Sequence, residues 1–83
     1  MSKYEKLLEF LRNVSQTQSS LTLTFSEIEE IISEPLPASA KKYRPWWANE
    51  KDGTHSQRLA WMNAGWLVDK VDLSFSRVTF KRI

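Results

Sequence analysis

No cysteine occurs in this chain, so neither a disulfide nor a thiolate-bound metal braces it. The single histidine cannot build a zinc site by itself. With only two glycines, Gly53 and Gly65, there is no glycine-rich loop to cradle a phosphate. The longest apolar run falls far short of the about 18–20 residues that cross a bilayer, which excludes a membrane-spanning helix. The opening MSKYEKLLEF has charges where a signal peptide needs an apolar run, so the expected location is cytoplasmic. Nothing calls for a cofactor. Stability is left to packing.

What packs is aromatic. The 83 residues are 41% hydrophobic and 27% charged, which suits one soluble globular domain spanning residues 1–83. All four tryptophans, the histidine and both glycines fall within residues 36–66. Burying one tryptophan removes about 150–250 Å² from water. A domain this small, stable by only about 5–15 kcal/mol, cannot leave most of that area exposed. Each tryptophan is therefore expected in the core. Charge is divided unevenly: residues 1–40 hold three Lys or Arg against six Glu, and residues 41–83 hold nine against four acids. The C-terminal half is the side that suits a polyanion.

Periodicity supplies the elements. Tyr4, Leu7, Leu8 and Leu11 form one helical stripe, predicting a helix over residues 3–13 with Ser2 as its cap. A polar loop over 15–20 precedes the alternating strand Leu21-Thr22-Leu23-Thr24-Phe25. Ser26, with Glu29 three positions on, predicts a capped second helix carrying Ile28, Ile31 and Ile32, stopped by Pro35. Residues 36–43 have room for one or two helical turns, and 49–53 read as a polar turn. Thr54 caps a helix over 55–64 that ends at Gly65, with Trp61 inward and Arg58 toward solvent. Residues 66–73 form a strand whose Leu67, Val71 and Leu73 share one face and whose Trp66 and Val68 share the other. A turn at 74–76 leads to a last strand with Val78 and Phe80 inward.

The expected fold is α+β: helix, strand, helix, insert, helix, strand, strand, with a three-helix core and a small antiparallel sheet. This is a winged-helix-like order, in which the third helix enters a DNA groove. The link of about twenty residues between the second and third helices departs from it, since a helix-turn-helix uses only a few.

The motifs Leu36-Pro37-x-Ser39-Ala40, Trp46-Trp47-x-Asn49, Trp61 with Ala64-Gly65-Trp66, and Val78-x-Phe80-x-Arg82 carry a family resemblance. Together with the Leu23–Ile31 junction, they resemble a small domain of unknown function from bacteria, archaea and phages. That domain occurs alone or beside nuclease-like and other defence-associated domains. The resemblance covers nearly the whole chain and implies nucleic-acid work, without an activity to carry over.

Catalysis has little to stand on. His55 lies near Asp52 and Glu50, a pairing able to do acid–base work, but a solvated histidine at a helix start explains it as well. Asp69 and Asp72 flank Lys70 without a third carboxylate at metal-binding spacing. The chain is expected not to be an enzyme.

Binding fits better, with DNA as the expected partner. Lys41, Lys42 and Arg44 cluster beside Tyr43, Trp46 and Trp47, where cations neutralise phosphates and aromatics stack on bases. The same aromatics could instead cap the core. Asn49 lies in the adjoining turn; His55, Ser56, Gln57 and Arg58 on the third helix are types that read base edges. Arg77 and Lys81 would meet flanking phosphates, and Phe75 at the hairpin tip is either a core plug or a contact. The rival is a protein-interaction module, an adaptor or phage-encoded inhibitor, using the tryptophan pair as its hot spot.

Overall fold

The first helical stripe turns inward as its spacing requires. Leu7 and Leu11 of α1 (Glu5–Arg12) are buried with Tyr4, while Phe10 on the other side is exposed. The computed structural model describes residues 4–49 and 57–83, so Ser2, Thr54 and their predicted caps lie outside it. Tyr4 occupies the N-cap of α1 and makes no side-chain cap bond.

Strand β1 (Ser20–Thr24) leads directly into α2 (Phe25–Ile32). The capping box falls two residues earlier than expected. Thr24 Oγ1 accepts from Glu27 N–H at 3.0 Å, and Glu27 Oε1 accepts from Thr24 N–H at 2.8 Å. Both Thr24-x-x-Glu27 and Ser26-x-x-Glu29 satisfy the pattern, and packing chooses between them. Starting the helix at Phe25 places Phe25, Ile28 and Ile32 on one buried face. It also frees Glu29 from capping. Its Oε2 accepts the Leu36 N–H at 2.7 Å and holds Lys41 Nζ at 3.2 Å. That backbone bond, with Lys41 beside it, lowers the Glu29 pKa from 4.5, and desolvation opposes the shift.

The described part of the insert between the second and third predicted helices, up to Asn49, is folded. It forms α3 (Ala38–Lys42) and a 3₁₀ turn (Arg44–Trp47) with Pro45 near its start. Adjacent tryptophans diverge: Trp47 is buried, Trp46 half-buried, and their rings meet edge-on at 4.7 Å. Trp47 stacks on Phe25 at 5.3 Å and on Trp61 at 5.8 Å; Trp61 then meets Phe80 at 5.9 Å. This aromatic column fastens the insert to α4 (Gln57–Met62) and the sheet. Each fully buried indole N–H is satisfied: Trp47 donates to Ala40 O, Trp61 to Asn49 Oδ1 and Trp66 to Leu11 O, all at 2.8–3.0 Å. Gly65 closes the α4 region at φ +88°, as its position predicts.

Strands β2 (Trp66–Asp72) and β3 (Arg77–Arg82) form the hairpin, and β1 pairs with β3, giving an antiparallel sheet ordered β1-β3-β2. A bulge interrupts β2. Val68 faces Phe80 and Lys70 faces Thr79, so Asp69 is the extra residue. Every side chain after it changes face. Val71 therefore sits opposite buried Val78 on the same side as Trp66, and no longer shares the face of Leu67 as simple alternation predicts. Lys70 and Asp72 turn to the outer face. Arg82 ties the sheet to the loop after α1: it donates to the carbonyls of Val14, Ser15 and Gln18 and lies 4.1 Å over the Trp66 ring. Among the described residues the result is a mixed domain of four α-helices and one three-stranded antiparallel sheet.

Candidate nucleic-acid interface

The outer face of the sheet carries Thr22 from β1, Arg77 and Thr79 from β3, and Lys70 and Asp72 from β2. Arg44 reaches the same place from the 3₁₀ turn and donates to Val71 O at the free edge of β2. These side chains line an open groove of about 680 Å³. Three cations face one carboxylate there, and Asp72 Oδ1 is already occupied by the Phe75 N–H at 3.1 Å. The Thr22 and Thr79 hydroxyls bond one another at 2.9 Å across the strands. One spends its proton on the other, so the pair keeps one donor for a ligand. The groove therefore presents the guanidinium, ammonium and hydroxyl donors that a phosphate oxygen accepts.

The residues singled out by the sequence divide into groups. Arg44 and Arg77 converge on the groove. Lys81 is exposed on the same strand as Arg77 and lies 3.8 Å from Asp69. Lys42 is exposed on α3, whereas Lys41 is engaged by Glu29. His55 and Ser56 lie outside the described residues, as do Glu50 and Asp52 of the acid–base pairing considered for His55.

Three candidates have other work. Asn49 Oδ1 accepts from Val68 N–H and from the Trp61 indole, and its Nδ2 donates to Val68 O, at 2.9–3.0 Å. The amide mimics a neighbouring strand along the edge of β2, next to the bulge, and leaves little capacity for a base. Gln57 is buried and donates to Trp46 O at 3.2 Å. Arg58, expected at the solvent, is only 9% exposed. The insert meets this helix through Gln57, and the helix packs against α1 and β2, contacts that a helix considered alone does not reveal. Among the described residues of α4, Leu59 is the exposed one.

Lys70 was missed because its face depends on the bulge at Asp69, and Thr22 and Thr79 because alternating threonines are ordinary in strands. Phe75 proves to be a surface residue, 71% exposed at the hairpin tip, with the Arg77 guanidinium 5.2 Å from its ring centre.

Among the described residues no helix is long and apolar enough to cross a membrane. No curated protein and no solved structure matches the chain. A family model described as a domain of unknown function (DUF7662) matches residues 4–83, almost the whole chain. The chain belongs to the DUF7662 family.

Proposed function

We propose that this domain binds nucleic acid, with DNA as its partner, through the basic outer face of the sheet. The observation that carries the reading is the gathering of Arg44, Lys70 and Arg77 around one open groove. Cations so placed neutralise successive phosphates and release their counterions. The winged-helix-like reading draws support from the element order and from the strand order β1-β3-β2, with the β2–β3 hairpin in the part of the wing. In this version the wing and sheet do the binding, and the third helix serves mainly as core. The role is binding without catalysis, in the cytoplasm, in keeping with the defence-associated company that the family resemblance implies.

Fluorescence anisotropy with labelled DNA at low and moderate salt tests the reading. Affinity falls steeply with salt, and replacing Lys70 and Arg77 together by glutamine lowers the logarithmic salt slope by about 1–2. No binding at low salt, or binding indifferent to salt, refutes it. The rival protein-interaction reading has lost much of its hot spot, because Trp47 is buried and Trp46 packs on Tyr4 at 6.0 Å. A partner protein retained after nuclease treatment would restore it.

A further inference from the structure

We infer that the groove takes a single strand, with its phosphates along Arg44, Lys70 and Arg77 and one base stacked on Phe75. This rests on the nucleic-acid reading above and specifies its ligand.

Phe75 is a large apolar side chain held out at the hairpin tip rather than folded inward. The backbone behind it is secured, because Asp72 Oδ1 accepts the Phe75 N–H and Ser76 O accepts the Phe25 N–H at 2.8 Å. Arg77, which lines the groove, lies against the Phe75 ring, so the aromatic stands at one end of the cationic track. Tyr43, 61% exposed, precedes Arg44 at the other element of the site. Phosphate donors beside exposed aromatic rings are what an unpaired strand requires.

A duplex fits these features less well. Its bases already stack on one another, so engaging Phe75 requires a base step to be opened at a cost of a few kcal/mol. Reading a duplex by laying a helix in its major groove requires polar side chains on the exposed face of that helix. In the described part of α4, Gln57 and Arg58 are buried. A single strand offers the free ring faces without unstacking, and the Thr22–Thr79 pair keeps a proton for a phosphate oxygen.

The test compares a fluorescein-labelled oligo-dT of about 12 nucleotides with a duplex of equal length at about 50 mM salt. The oligo-dT is expected to bind at least about 10-fold more tightly than the duplex. Phe75→Ala weakens oligo-dT binding by about 5- to 150-fold and leaves duplex binding unchanged, while Phe75→Trp retains the oligo-dT affinity. Lys70→Gln weakens binding to both. A duplex bound as tightly as the single strand overturns the inference while leaving nucleic-acid binding standing, as does oligo-dT affinity indifferent to Phe75→Ala. If neither DNA binds at low salt, both readings fall together.

Discussion

Replacing Asn49 by alanine separates a structural role from a ligand-binding one. The substitution removes two acceptor bonds to Oδ1 and one donor bond from Nδ2. The largest loss is at Trp61, which is 0% exposed, so its indole N–H is left in the core without a partner. An unsatisfied buried donor costs about 1–3 kcal/mol. The two Val68 backbone groups lie at a sheet edge that water can reach, and they add about 1 kcal/mol between them. The expected loss is about 2–4 kcal/mol, which in a domain of this length lowers the melting temperature by roughly 10–30 °C. Urea unfolding followed by tryptophan fluorescence measures the loss. Affinity for DNA, measured where the variant is still folded, stays at the wild-type value. A change in stability below about 0.5 kcal/mol refutes the edge-clamp reasoning. So does a stable variant that no longer binds DNA, which would return Asn49 to the interface.

Thr24→Ala breaks the capping box and costs about 0.5–2 kcal/mol in urea unfolding, whereas Ser26→Ala, at an exposed helix position, costs little; the reverse ranking contradicts the assigned cap. At Gly65 a methyl group meets nothing within 4 Å, but φ is +88°, so Gly65→Ala destabilises by about 1–2 kcal/mol through the backbone alone, and an unchanged denaturation midpoint contradicts that. The Glu29 pKa is lowered in the folded state from 4.5, so between the two values the folded chain binds fewer protons than the unfolded one. Its contribution is complete above about pH 4.5 and is lost as the pH falls through the folded value. Urea midpoints of Glu29→Gln should therefore fall less steeply than wild type on acidification, and parallel curves would exclude the effect.

Much of the fold was legible residue by residue. The stripe of Leu7 and Leu11, the alternation of Leu21 and Leu23 and the glycine after α4 all report local preferences that the tertiary structure leaves in place. The inward placement of Trp47, Trp61 and Trp66 followed from the area they bury. The candidate site was less legible. Arg44 and Arg77 could be named from charge, yet their convergence depends on the order of the strands and on where the insert lies against β2. Gln57 and Arg58 looked like readers because a helix considered alone gives no sign of what covers it.

Local patterns thus determined the helices, the strands and the hydrophobic side of most of them, because caps, periodicity and turn residues act over a few positions. Tertiary packing decided everything that depended on a competition between equivalent local solutions. Two capping boxes were available, and burial of Phe25 against Trp47 selected the earlier. Regular alternation in β2 was available too, but pairing with Val78 and Phe80 requires the extra residue at Asp69. That single insertion puts Val71 in the core and Lys70 in the groove, and with it the outer face acquires the third of its cations.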